Sequence, residues 1–257
     1  MKVVSINTNG IRAAARKGFF SWLRAEDPDV VCIQETKAQV DQLTDDCFWP
    51  QGYHCVYHDA VKKGYSGVAI YAKVKPQQVT QGIGWPDIDA EGRYLEFTFQ
   101  NASIISLYMH SGSSGDARQL IKEDFMARFY AYLMARKTVD VPIILCGDIN
   151  IVHTEKDIKN AKGNQKNSGF LPHERAWIDR LFREGFCDAF RLVDDRAEQY
   201  TWWSNRGQAW AKNVGWRIDY QIISACLAPT VKSAMIYKDE RFSDHAPLVM
   251  TYDFALT

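Results

Sequence analysis

Nine short apolar runs, rich in β-branched and aromatic residues, recur along the chain: KVVSI, DVVCIQ, YHCVYH, GVAIYAK, RYLEFTFQ, ASIISLYM, VPIILCGD, WRIDYQIIS and APLVMTYDF. Such runs form strands, and strands must pack in sheets. RYLEFTF alternates apolar and polar residues, the pattern of an antiparallel strand with one covered face. Helical segments lie between the runs. ARQLIKEDFMARFYAYLMARK spaces Ile121, Phe125, Phe129 and Leu133 four apart, predicting one apolar stripe. PHERAWIDRLFREG opens with Pro172 at an N1-like position and ends at Gly185, a C-cap signal. RKGFFSWLRAEDPD stops before Pro28. Strands and helices mix without strict alternation, so an α/β fold with helices on the outer faces of packed sheets is expected, in one domain over residues 1–257.

The polar chemistry collects where the runs end. The first run leads to Asn7, the second to Glu35, a later one to Tyr108, and another to GDIN with Asp148 and Asn150. WRID is expected to end a strand at Asp219, and RFSDHAPL sets Asp244 directly before His245. Alone, Asp148 reads as a turn cap and Glu35 as a solvated strand end. Together the six ends look like groups converging on a rigid scaffold. Hard oxygen ligands of this kind suit Mg²⁺. Asp148 and Asn150, two apart on extended backbone, face one way, setting a carboxylate that takes a proton from water beside an amide that holds it. His245 supplies a donor to an anionic oxygen, and Asp219 can fix its tautomer. The set points to hydrolysis of a phosphate ester.

Lys plus Arg equals Asp plus Glu, 31 each, so composition announces no basic nucleic-acid-binding module, and any positive field must be local. The six cysteines form no CxxC pair, and Cys32 and Cys146 lie inside apolar runs, as buried free thiols do. No run is long enough to span a bilayer, and MKVVSINTNG reaches Asn and Gly too early for a signal peptide. A cytoplasmic monomer without a membrane partner is expected.

INTNGIR, IQETK, GYSGVAIY, CGDINIVH, KGNQKNSGF, NVGWRIDY and SDHAPL, in order across nearly the whole chain, resemble the exonuclease III family of apurinic/apyrimidinic endonucleases. The resemblance implies a four-layer α/β sandwich: two mainly antiparallel β-sheets packed face to face and flanked by helices. It implies Mg²⁺ dependence, with Mn²⁺ as a substitute, cleavage 5′ to abasic sites in double-stranded DNA, and trimming of blocked 3′ ends. By match to the motifs, Glu35 would hold the metal with Asn7 nearby and Asp244 assisting. Asp148 would activate water, Asn150 orient it, Tyr108 contact the scissile phosphate, and His245, held by Asp219, stabilise the charged oxygens. Asn164 and Asn167 resemble backbone-contacting asparagines. Trp202, Trp216 and Ile218 match the apolar wall of a flipped-out sugar pocket, the last two expected on one strand face. KKGYSG, with Lys63 and Tyr65, and KNAKGNQK supply local positive charge and contacts for phosphates.

Three positions depart from the commonest pattern. Asn9 stands where many relatives carry Asp, His110 where relatives often carry Pro, and Arg206 lies in a loop that varies among relatives and can wedge into DNA. His54 and His58 share metal-like spacing but read as plain surface histidines, and SGSSG as a flexible loop rather than an anion nest. Trp177, Trp203 and Trp210 read as packing residues. The alternatives are a phosphatase acting on another phosphodiester and a non-catalytic, RNA-associated regulator of the catabolite repression control type. The second fits poorly with Glu35, Asp148, Asn150, Asp219 and His245 all being present.

Overall fold

The computed structural model describes residues 1–137 and 141–257. The strands are β1 (Lys2–Asn7), β2 (Val30–Gln34), β3 (His54–His58), β4 (Val68–Ala72), β5 (Gln78–Gln81), β6 (Tyr94–Thr98), β7 (Ser103–Tyr108), β8 (Ile143–Asp148), β9 (Phe186–Asp188), β10 (Trp202–Trp203), β11 (Gly215–Trp216), β12 (Asp219–Ser224), β13 (Val231–Ile236) and β14 (Leu248–Tyr252). The helices are α1 (Ile11–Arg16), α2 (Phe19–Glu26), α3 (Pro86–Asp89), α4 (Asp116–Lys137), α5 (Ala161–Asn164), α6 (Pro172–Arg183) and α7 (Ala189–Val193). One six-stranded sheet has the order β13-β14-β1-β2-β4-β3, the other β5-β6-β7-β8-β12-β9, and β10 pairs with β11. Among the described residues, only β1/β2 and β7/β8 are parallel; the remaining pairings are antiparallel.

Alternation along the strands builds the layers. Val3, Val30 and Cys32 meet Ile104, Ile144 and Cys146 between the sheets. Their neighbours Val4, Val31 and Ile33 point out, under Phe19, Trp22 and Leu23 of α2. On the far face Leu107 and Leu145 pack beneath Phe125 and Phe129 of α4 and Trp177 and Leu181 of α6. Each such fully buried side chain contributes roughly 1.5–3 kcal/mol. Gly147 is required where β8 runs beside β7: a Cβ there would stand 2.0 Å from the carbonyl oxygen of its register partner Leu107. All six cysteines are free. Among the described residues, no helix is long and apolar enough to cross a membrane.

Four expectations need correction. Ile121 is 43% exposed, because α4 turns Lys122, Phe125, Met126, Phe129 and Leu133 inward instead. Glu96 of β6 is buried, since Arg136 and Tyr94 cover the face expected to meet water. Asp219 opens β12 rather than ending a strand. Because β12 runs antiparallel to β8, that start lies opposite Asp148, at the end where β8 finishes. Trp216 and Ile218 straddle a strand break, yet both face one apolar cluster, while Arg217 between them turns inward to Asp157 and Asp188.

Candidate active site

Sheet register puts the polar strand ends in two rows. Tyr108 lies beside Asp148, and Asp148 opposite Asp219, in one sheet. Asn7 lies beside Gln34, next to Glu35, in the other. Beyond these ends the chain turns sharply: Asn9, Glu35 and Asn150 adopt left-handed backbone at φ 45°, 51° and 54°. Such conformations persist only where the surroundings fix them, and they gather at functional sites.

The two rows are bonded to each other. Asn7 Nδ2 donates to Asp148 Oδ2 at 2.8 Å, tying one sheet to the other. His245 Nδ1 lies 2.9 Å from Asp219 Oδ2, and its Nε2 lies 3.9 Å from Asp148 Oδ2. Asp244 and His245 occupy a bend before β14, stapled to β10 by an isolated bridge with Trp202 and by Trp203 N–H donating to the Asp244 carbonyl. The bend frees the pair from strand alternation, so both side chains reach one cavity. Asp244 accepts from Asn9 Nδ2 at 3.0 Å and Trp202 Nε1 at 3.1 Å. Tyr108 donates its hydroxyl to Glu35 Oε1 at 2.7 Å, and Lys37 Nζ stands 3.3 Å from the same oxygen.

Burial pushes Asp148 up to about 7, aided by the charge of Asp219, although His245 pulls the other way. Burial alone would depress His245. Its charge interaction and hydrogen bond with Asp219 outweigh that, with Asp148 and Asp244 adding to them, and raise the imidazole to about 10. Its Nδ1 is engaged by Asp219, and its Nε2 is turned toward Asp148. This matters because Asp148, Asp219 and His245 are, among the described residues, the one cluster whose ligand atoms all lie within 4.8 Å of one another. The donors that suit a hard cation are instead the oxygens of Glu35, Asn7 and Asp244, all on the cavity wall.

The cavity holds about 630 Å³. It is lined by the polar residues Asn7, Glu35, Tyr108, Asp148, Asn150, Asp244 and His245, and beside them by Trp202, Trp216 and Ile218. Asn167 lines it, as do Ser111, Gly112, Ser113 and Gly115 of the SGSSG loop. Asp219 is fully buried behind His245. Four expected DNA contacts lie outside the lining. Asn164 bonds Asn167 Nδ2 at 2.8 Å and the Lys159 carbonyl, Tyr65 is tied to Arg93 and Glu91, and Lys63 and Arg206 are exposed. His110 is buried against Glu91 and Phe125, away from the cavity. His54 is exposed, and His58 faces the Tyr94 carbonyl. Trp177 and Trp203 are core, and Trp210 packs on Trp203.

Sequence reading missed Arg93. Its guanidinium stacks 4.6 Å from the Tyr108 ring and donates to the Tyr108 carbonyl at 3.1 Å, fixing the phenol from behind. Nothing in EGRYLEF signals this, because Arg93 follows a turn and its partners lie elsewhere in the chain.

Carboxylates, amides and one imidazolium at the seam of a two-sheet α/β sandwich define a phosphoester hydrolase. The chain belongs to the Endonuclease/Exonuclease/phosphatase family, whose pattern matches residues 4–245. It is 40% identical over 250 residues to the exodeoxyribonuclease of Bacillus subtilis (strain 168), covering 96% of this chain and 98% of that one. It is 40% identical over 258 residues to the DNA repair nuclease APEX1 of Danio rerio, covering 97% and 81%. The fold is similar to that of an AP endonuclease from Archaeoglobus fulgidus, with a TM-score of 0.90, 27% identity, and coverage of 99% of this chain and 100% of that one.

Proposed function

We propose that this chain is a divalent-metal-dependent DNA repair nuclease that cuts the phosphodiester 5′ to abasic sites in duplex DNA and trims blocked 3′ ends. The observation that carries the reading is one cavity lined by Asn7, Asp148 and His245 together with Trp202, Trp216 and Ile218, in which Asn7 bonds Asp148, His245 stands 3.9 Å from Asp148, and Asp219 backs His245 from behind. A base-free deoxyribose is small enough for such a wall to accept and apolar enough to be held there. The names exodeoxyribonuclease and DNA repair nuclease of the two relatives, and AP endonuclease of the similar structure, support the reading.

Glu35, with Asn7 and Asp244, would hold Mg²⁺, for which Mn²⁺ can substitute. When bound, the cation neutralises phosphate charge and polarises the ester. Asp148 takes the proton from the attacking water. Its Oδ1 is fixed by Asn150 N–H at 2.9 Å, and Asn150 Nδ2 is held by the Met109 carbonyl, so the amide oxygen is aimed at the cavity to orient that water. His245 donates to the non-bridging oxygens where charge develops, and Asp219 keeps it protonated and oriented. Tyr108 contacts the scissile phosphate, braced by Glu35 and Arg93. Asn164, Asn167, Lys63, Tyr65 and Arg206 contact the DNA flanking the cavity. Residues 1–257 act as one catalytic domain, since both sheets contribute to a single site; the chain is read as a cytoplasmic monomer.

The test is a nicking assay on a duplex with one abasic analogue, with Mg²⁺ and with EDTA. Mg²⁺-dependent incision 5′ to the lesion is expected. Duplex left intact while another phosphodiester is hydrolysed would replace the reading with the phosphatase. RNA binding without any cleavage would replace it with the regulator.

A further inference from the structure

Lys122 of α4 and Glu174 of α6 are both 0% exposed, with Nζ 2.6 Å from Oε1. Replacing a buried ion pair with uncharged side chains of similar volume is often neutral for stability, so holding two helices together is a weak reason to keep one. What the pair touches is more telling. Lys122 Nζ also donates to the Asn150 carbonyl at 2.8 Å. The other Glu174 oxygen accepts the backbone N–H groups of Gly169 at 2.7 Å and Leu171 at 3.0 Å. Gln119 Nε2 donates to Glu174 Oε1 at 3.1 Å, and Gly112 of the SGSSG loop packs so closely on Gln119 that a Cβ would stand 1.9 Å from its Oε1.

We propose that Lys122 and Glu174 are positioning residues for the hydrolytic step, locking the Asn150 turn, the Gly169 loop and the Trp216 wall into one rigid unit. This rests on the role of Asn150 in the nuclease reading. Asn150 sits in left-handed backbone, and Lys122 fixes its carbonyl from beneath. Gly169 is wedged between the two functions: a Cβ there would stand 3.0 Å from the Trp216 ring and 3.1 Å from the Asn150 oxygen. Its carbonyl in turn accepts Val152 N–H at 2.7 Å. One carboxylate thus reaches the turn that orients water and the loop behind the wall that receives the sugar. A displacement of about 1 Å in such a group costs about 10²-fold in rate.

The experiment compares wild type, Lys122→Met, and the neutral double variant Lys122→Met/Glu174→Gln, whose Gln oxygen still accepts the Gly169 and Leu171 N–H groups. Thermal melts, single-turnover rates on an abasic duplex, and duplex affinity in EDTA are measured, all rates below the lowest melting temperature. The double variant should melt close to wild type and bind uncut duplex equally well, yet cleave about 10²-fold more slowly. Lys122→Met should be slow whatever its melting temperature. If the rate returns with stability in the double variant, or if Lys122→Met cleaves at the wild-type rate, the pair is structural only. Wild type that fails to nick the abasic duplex would instead count against the nuclease reading itself.

Discussion

His245 owes its charge to one neighbour above all. With Asp219 replaced by Asn, burial is no longer outweighed and the imidazole should fall back from about 10 toward its ordinary 6.5 or below. Ring shifts followed by NMR in EDTA check this. A titration near 10 that survives Asp219→Asn would show that the charge has another source. The sign for stability follows from linkage. A raised folded value means the interaction stabilises fully below 6.5 and is lost as pH rises through about 10, so the penalty of Asp219→Asn should shrink in strong alkali. In the proposed reaction the two residues act as a unit. His245→Ala should lower kcat by about 10²- to 10³-fold, and adding Asp219→Ala should change little more. Single-turnover rates for both singles and the double decide it: losses that multiply would mean two independent roles. Asp148→Asn removes the proposed general base and should cost about 10²- to 10⁴-fold while duplex binding in EDTA survives.

At the scale of elements, the nine apolar runs became β1, β2, β3, β4, β6, β7, β8, β12 and β14; all but the edge strand β3 bury most of their residues, which shows in their own sequence. β5 and β13 stayed hidden as largely exposed edge strands, and β9, β10 and β11 because two or three residues carry no periodicity. The floor of the site was legible since each strand end contributed one residue of telling type. Arg93, Lys122 and Glu174 were not, since a buried charge on an ordinary strand or helix is explained only by partners distant in sequence. The same holds for Asp157, buried without exposure, accepting from Arg217 Nε at 2.7 Å and from Arg191 and Thr154. This cluster fixes the segment that turns Trp216 and Ile218 outward. Although burial raises it, Asp157 is held well below the usual carboxylate range by the charge and hydrogen bonds of Arg217, Arg191 and Thr154. The resulting stability is present above 3.8 and lost as pH falls through the lower folded value. Asp157→Asn should therefore destabilise by about 3–5 kcal/mol near neutrality, with the gap to wild type closing in strong acid. Urea melts across pH measure it, and a pH-independent gap would mean that packing, not charge, is what the substitution removes.

For the whole molecule, the site lies on the seam between two sheets, so their relative position is part of the chemistry. Buried polar bridges fix it: Gln34 to Ser106, Ser106 to the Ile33 carbonyl, Gln221 to the Val3 carbonyl, and Asn7 to Asp148. Each contributes only about 0.5–1.5 kcal/mol, so their use is register more than stability. The apolar wall adds substrate choice to this frame. Trp216→Ala should harm abasic incision more than 3′-phosphate removal, because a free 3′ end has less need of a pocket for a flipped sugar; equal losses would make Trp216 a packing residue. The charge balance of 31 against 31 then decides how duplex is captured. With no net charge, attraction in the proposed nuclease must come from local cations. Lys166 lines the cavity itself, and Lys63 is exposed on the β3–β4 connection. A cation that contacts phosphate releases about one counterion, so Lys166→Ala and Lys63→Ala should each lower the slope of log affinity against log salt by about one. The loss should be the same for intact and abasic duplex, since phosphate contacts position DNA without reading the lesion. Fluorescence anisotropy in EDTA over a salt series measures both quantities. An unchanged slope would show that the lysine is a solvated surface charge, and a loss confined to abasic duplex would move it from the phosphate track to recognition of the lesion.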